Sequence, residues 1–248
     1  MTPLSLDPYR RVALQFSGGK DSLACLYLLR DQLDVVTVYW CDTGDGCPET
    51  RAIIEQVRAW VPHFAVVRSD VASWRLRHGF PSDLVPSNHH PIGLACGLGQ
   101  FPLVNRWDCC AANLMLPLHE RMVADGVDAV VRGTKLCDMG TLPAEGRVAG
   151  VPYDILLPIR DWSHQDVFAY LQAVGAPQNA IYEHFAAVSA PECMGCTAWW
   201  NDGKAAYLRA RHPNQAAGYQ VALQSMLGAV HTQLADLYAE LHTLTKRL

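Results

Sequence analysis

Val12-Ala-Leu-Gln-Phe16 runs directly into Ser17-Gly-Gly-Lys-Asp-Ser22, and a helical spacing of Leu23, Leu26, Tyr27 and Leu29 follows. A β-branched and apolar run, a pair of glycines and then a helix read as strand, tight turn, helix. Glycines let the backbone turn with its N–H groups converging, and the helix N-terminus adds partial positive charge suited to an anion such as phosphate. Lys20 adds a whole charge, and Ser17 and Ser22 add hydroxyl donors. The stretch is not a Walker A loop, because an aspartate rather than Ser or Thr follows the lysine.

Outward from this loop, the continuously apolar run Val35 to Trp40 reads as a buried parallel strand. Glu49 to Trp60 carries Ile53, Ile54, Val57 and Trp60 at helical spacing, Phe64 to Val67 makes a third strand, and Val127 to Val131 a fourth. A helix containing Leu114, Leu118 and Met122 precedes that fourth strand. The alternation predicts an α/β fold with an open, mostly parallel doubly wound sheet and helices on both faces. Ligands of such sheets bind at the carboxyl ends of the strands.

Residues 69–108, broken by Pro81, Pro86, Pro91 and Pro102, lack clear periodicity and read as a lid or binding segment. Ser163 followed by Asp166 predicts a capping box for the helix bearing Val167, Phe168 and Leu171. Gln215 to Leu248 reads as a long amphipathic helix striped by Leu223, Leu227, Val230, Leu234, Leu237 and Leu241. Such a stripe suits either a cover for the sheet or an oligomer contact. The expected division is a nucleotide-binding domain over 1–197 and a C-terminal helical extension over 198–248.

A chain of 248 residues that is 50% apolar suffices for one large domain, with or without an appendage. The net charge of −4 provides no global basic field for nucleic acid, although a local groove remains open. Met1 to Tyr9 has no apolar signal region, and no stretch of about 18 uncharged apolar residues follows. A cytoplasmic protein with no membrane partner is expected. Nine cysteines then point to metal ligation or thiol chemistry rather than structural disulfides.

Ser17-Gly18-Gly19-Lys20-Asp21-Ser22 resembles the PP-loop of the adenine nucleotide alpha hydrolase superfamily. Asp42-Thr43-Gly44 with Pro48-Glu49-Thr50 is similar to the signature of the phosphoadenosine phosphosulfate (PAPS) reductase family within it. Arg132-Gly133-Thr134-Lys135 stands where that family carries a glycine and basic residues that meet the nucleotide, and Pro158, Asp161-Trp162 and Asp166-Val167 match a further stretch. Cys109-Cys110 with Cys193-Met-Gly-Cys196-Thr197 resembles the pattern that binds a 4Fe-4S cluster in assimilatory adenylyl-sulfate reductases. Four thiolates are what such a cluster takes. A zinc site, unligated thiols or a redox disulfide are other readings of the same spacing. The resemblance, from about Val12 to Thr197, implies ATP or a related adenine nucleotide and Mg2+. It also implies nucleotide contacts at Ser17 to Ser22, Asp42 to Gly44 and Arg132 to Thr134, and catalytic roles for Lys20, Asp21 and Lys135.

Sulfonucleotide reductases attack sulfur with a cysteine in a C-terminal E-C-G-[IL]-H segment and commonly carry a degenerate loop. This chain ends His242-Thr-Leu-Thr-Lys-Arg-Leu248, has no cysteine after Cys196, and keeps the loop intact. The expectation is therefore an ATP pyrophosphatase that adenylates an acceptor for sulfur transfer. By analogy the acceptor is nucleic acid, as in DNA phosphorothioation or tRNA thiolation. Its partner would be a sulfur or electron donor protein of the cysteine desulfurase or thioredoxin type, and a homo-oligomer is compatible. The alternative is a sulfonucleotide reductase in which Cys25, Cys41, Cys47, Cys96 or Cys137 replaces the tail nucleophile, with Cys137, close after Lys135, best placed. A third reading is a non-catalytic nucleotide-binding subunit. His89-His90 read as solvated loop residues, Trp199-Trp200 as a cover for the cysteines, and Arg51, Arg58, Arg106, Arg121 and Arg132 as solvated or groove-lining cations.

Overall fold

The computed structural model describes residues 4–82, 103–138, 144–185, 190, 192–198, 200 and 203–245. Cys96, His89, His90 and Trp199 lie outside the described residues. Two compact units divide the chain, Met1–Ser69 with Ala112–Cys193, and Asp70–Ala111 with Met194–Leu248. The boundary expected after residue 197 thus lies within the second unit.

Strands β1 (Val12–Gln15), β2 (Val36–Asp42), β3 (Phe64–Arg68), β6 (Ala129–Val131), β7 (Gly146–Arg147) and β8 (Asp154–Leu156) build the sheet of the first unit. Their order is β3-β2-β1-β6-β8-β7. Val12 pairs with Val36 on one side and with Ala129 on the other, and every pairing is parallel except β7 with β8. Chain order reverses at β1, with β2 to one side and β6 to the other. That reversal opens the crevice in which doubly wound sheets hold ligands.

Side chains alternate across the strands as a two-residue period demands. Val12, Leu14, Val36, Val38, Ala129 and Val131 face one core, shared with helices α1 (Lys20–Leu28) and α2 (Pro48–Arg58) and with a later helix, His164–Ala173. Ala13, Tyr39, Cys41, Ala65 and Val130 face the other, covered by the helix Leu116–Ala124. Helices therefore lie on both faces, as expected. The capping box is present as well: Ser163 Oγ accepts from the Asp166 amide at 3.1 Å, and Asp166 Oδ2 accepts from the Ser163 amide at 2.8 Å.

Two departures from expectation stand out. Two further strands, β7 and β8, extend the sheet beyond β6; at two and three residues they are too short for a periodicity signal. The helix expected through Leu114 is instead α-helical over Arg106–Cys110, π-helical over Ala111–Met115, and α-helical again from Leu116. Within the π segment the Asn113 carbonyl accepts from Cys41 Sγ at 3.2 Å and Ser69 Oγ at 2.6 Å. Side-chain donors at that carbonyl are compatible with the wider turn.

In the second unit the helix Val71–His78 is capped by Asp70, whose Oδ1 accepts from the Ser73 amide at 3.0 Å. Strands β4 (Phe80–Ser82) and β5 (Leu103–Asn105) pair in parallel. Lys204–Arg211 is helical, and the long helix expected near the C-terminus spans Pro213–Thr245. Its buried residues are Tyr219, Ala222 and Met226, whereas most of the expected leucine stripe is exposed. Among the described residues, no helix is long and apolar enough to cross a membrane.

Candidate functional site

The loop after β1 is the hub of the first unit. Gly18 has a positive φ of 78°, a conformation cheap only for glycine, and a Cβ there would come within 2.8 Å of Thr50 in α2. Ser17 and Ser22 brace the turn: the Gly19 amide donates to Ser17 Oγ at 3.3 Å and Ser22 Oγ donates to the Gly19 carbonyl at 3.0 Å. The loop opens α1, so its amides carry the helix's partial positive charge.

Gly133 leaves the end of β6 against this same helix start. A Cβ on it would stand 2.8 Å from the Asp21 carbonyl carbon and 2.9 Å from the Ser22 nitrogen. Only a hydrogen fits there. The close approach delivers Lys135, fully buried, to Asp21: Lys135 Nζ is 2.6 Å from Asp21 Oδ1, and Lys20 Nζ is 2.8 Å from Asp21 Oδ2. Lys135 Nζ also reaches Asp138 Oδ2 at 2.6 Å, and Asp138 Oδ1 lies 3.4 Å from His164 Nε2. Lys20, Asp21, Lys135 and Asp138 form one charged chain beside the loop, and His164 ends it.

Burial holds Lys20 below the ordinary lysine range, with Asp21 opposing that shift. Burial would lower Lys135 too, but its two carboxylates more than offset this and raise it. His164 is held down, first by burial and then by the charges of Lys20 and Lys135, so its imidazole is neutral near neutral pH. Arg132 Nε is buried with no hydrogen-bond acceptor among the described residues, a donor still to be satisfied. The two ammonium groups are matched by Asp21 and Asp138, so the donor left for an anion is Arg132 Nε, beside the partial positive charge at the start of α1.

The predicted Asp42 organises its own turn rather than facing outward: Oδ1 accepts from the Gly44 amide at 3.1 Å and from Arg51 Nη2 at 2.6 Å. Thr43 Oγ1 stands 3.5 Å from Cys193 Sγ, so one cysteine of the C-x-x-C pair borders the Asp42–Gly44 turn. Cys109 is buried and Cys110 half-buried in the short helix Arg106–Cys110. Half-buried Cys196 belongs to a stretch tied down by Lys204, which donates to the Cys196 carbonyl. None of the eight described cysteines forms a disulfide. Trp200, of the pair read as a cover for the cysteines, donates from its indole to the Thr197 carbonyl.

Four neighbours of the loop carried no motif. Tyr182 Oη accepts from the Lys20 amide at 3.0 Å, and its ring lies 5.7 Å from Lys20 Nζ. Asn179 Nδ2 donates to Thr50 Oγ1 at 3.0 Å and lies 3.5 Å from the Gly18 carbonyl oxygen. Asp138 and His164 complete the set. Cys137, exposed, donates to the Trp162 carbonyl at 3.4 Å, and its sulfur lies within 4.8 Å of ligand atoms of Asp138 and His164. Those three could share a metal ion, but Lys135 holds one oxygen of Asp138 and opposes a cation there. Of the other candidate nucleophiles, Cys25, Cys41 and Cys47 are buried. Burial pushes Cys41 up to about 11 and raises Cys25 further.

Residues 11–84 match the phosphoadenosine phosphosulfate reductase domain. An adenosine 5'-phosphosulfate reductase of Neisseria meningitidis is 26% identical over 188 residues, covering 67% of this chain and 69% of that protein. In fold the chain is similar to the phosphoadenylyl-sulfate reductase of Candida auris, at TM-score 0.52 and 16% identity over 72% of this chain and 80% of that one. An FMN adenylyltransferase of Candida glabrata, solved with ATP, aligns at TM-score 0.41 and 16% identity over 74% and 52% of the two chains. The loop after β1 and the Asp42–Gly44 turn thus both lie within the stretch that is similar to the phosphoadenosine phosphosulfate reductase domain.

Proposed function

We propose that this chain binds an adenine nucleotide across the loop and breaks its bond at the α-phosphate. The substrate is ATP, and the product is an adenylated acceptor primed for sulfur transfer. The observation that carries this reading is the pair of buried lysines, Lys20 and Lys135, meeting on Asp21 under an intact loop. Pyrophosphate leaves carrying several negative charges, and the partial positive charge at the start of α1 with the ammonium of Lys20 is placed to meet them. Lys20 and the loop amides hold the β and γ phosphates, Arg132 satisfies its unpaired Nε on a phosphate oxygen, and an acceptor oxygen attacks the α-phosphorus. Magnesium, when bound with the nucleotide, shares the phosphate charge. Asp21 keeps both lysines aimed, so positioning and charge neutralisation supply the catalysis. The acceptor we assign is a nucleic acid, by analogy alone.

Cys109, Cys110, Cys193 and Cys196 are the thiolates we assign to a 4Fe-4S cluster, which would supply one-electron chemistry when bound. The burial of Cys109 and the half-burial of Cys110, Cys193 and Cys196 suit thiolates shielded from solvent. Electrons or sulfur would then come from a donor protein.

Sulfonucleotide reduction is the second reading, favoured by the name of the Neisseria relative and by Cys137, an exposed thiol next to His164 and Asp138. Calorimetry on anaerobically purified protein separates the two, by comparing ATP with magnesium, adenylyl sulfate and PAPS. A tenfold preference corresponds to about 1.4 kcal/mol. Tighter ATP supports the pyrophosphatase. Tighter binding of a sulfonucleotide, with loss of sulfite release in Cys137→Ser, overturns it.

A further inference from the structure

We propose that the C-terminal half of the long helix Pro213–Thr245 pairs with the same helix of a second copy of this chain. Leu227, Val230, Leu234, Leu237, Leu241 and Leu244 follow one another at alternating spacings of three and four, and Leu223 continues the series toward the N-terminus. Spacing of that kind is a heptad seam, about three heptads long. It repeats every 3.5 residues on average, so it drifts slowly around a 3.6-residue helix and stays in register only with a partner helix that supercoils about it. A helix that covers a sheet needs a broader stripe.

Nothing among the described residues covers the seam. Leu227 is 54% exposed, Leu237 62%, Leu241 54% and Leu244 62%, and every residue from 231 to 245 is exposed. The seam is roughly 33 Å long and about 10 Å wide, in the range at which a contiguous apolar patch marks an interaction surface rather than a scatter of solvated leucines.

The flanks say what the occupant is. Over Pro213–Thr245 the only Asp, Glu, Lys or Arg residues are Asp236 and Glu240, and Glu240 alone borders the seam, with His231, Gln233 and Tyr238. An antiparallel pairing that sets Leu234 against Leu237 of the second copy puts His231 opposite Tyr238 and Gln233 opposite Glu240. A parallel pairing puts Gln233 opposite Tyr238 and Glu240 opposite Thr245. Neither arrangement sets like charges across the seam, so the surface is complementary to itself. A different partner helix would be expected to leave a charge pattern on these flanks, because e and g positions choose partners by charge.

Sedimentation of the full chain over a wide concentration range tests the pairing, independently of the nucleotide chemistry. The expected mass is twice the 27.4 kDa of one chain. Leu234→Glu with Leu237→Glu, both at exposed positions, should give a single-chain mass with unchanged circular dichroism and nucleotide affinity. Asp236→Ala, off the seam, should keep the pair. If the double variant misfolds, Leu227→Lys with Leu241→Lys asks the same question at other layers. Wild-type protein at single-chain mass throughout, or a pair that survives both seam variants folded, overturns the proposal.

Discussion

Gly133→Ala puts the geometry of the site at risk with one methyl group. The new Cβ would stand 2.8 Å from the Asp21 carbonyl carbon, 2.9 Å from the Ser22 nitrogen and 3.0 Å from the Asp21 oxygen, where ordinary contact begins at 3.4 Å. All three atoms are backbone, so no side chain can swing aside. The end of β6 and the start of α1 must part by about 0.6 Å, the shortfall at the closest contact, and overpacking of this kind costs about 1–3 kcal/mol. The same displacement pulls Lys135 from Asp21, across a gap that is 2.6 Å in the wild type. Urea unfolding should show the loss of stability, and calorimetry with ATP and magnesium should show affinity weakened about tenfold or more, where tenfold is about 1.4 kcal/mol. Gly218→Ala is the control: it lies in an open stretch of the long helix with nothing within 4 Å, and should be neutral or stabilising by up to about 1 kcal/mol. Wild-type stability and affinity in Gly133→Ala would refute the claim that this close approach builds the site.

Two other perturbations read the charged chain. Lys135→Met leaves Asp21 and Asp138 without their shared buried cation, and breaking such a pair should cost about 3 kcal/mol in urea unfolding at neutral pH. Nucleotide should also bind more weakly, and an unchanged midpoint would show that Lys135 balances nothing. His164 supplies a pH signature. As pH falls through the ordinary histidine value of 6.5 the unfolded chain takes up a proton that the folded imidazole still refuses, so stability declines below that pH until the folded group also titrates. His164→Asn should therefore lose less stability than wild type between pH 7.5 and about pH 5.5, and an equal loss would exclude His164 as the source.

Local features were legible in the sequence because they rest on a few neighbouring residues. The turn at Gly18, the strand before it and the helix after it follow from backbone preference and periodicity, as does the capping box of Ser163 with Asp166. Lys135 was reachable through the resemblance alone; its contact with Asp21 depends on β6 lying beside β1, a crossover of more than a hundred residues. Asp138, His164, Asn179 and Tyr182 carried no local signal. Each reaches the loop from a turn, a helix start or a 3-10 segment whose position is set by sheet order. The π-helical turn after Cys110 escaped notice for a related reason: the donors at the Asn113 carbonyl come from Cys41 and Ser69, distant in sequence.

By itself the sequence determined the open parallel sheet, the glycine turn between its first strand and first helix, and the heptad spacing of the last helix. All of these are encoded within one element or one turn, where dihedral preference and hydrophobic period act directly. Only the tertiary structure decided that two buried lysines share one aspartate and that a histidine is kept neutral beside them. It also decided that the leucine seam is left uncovered. Those outcomes depend on which distant segments the fold brings into contact, and no local period records that.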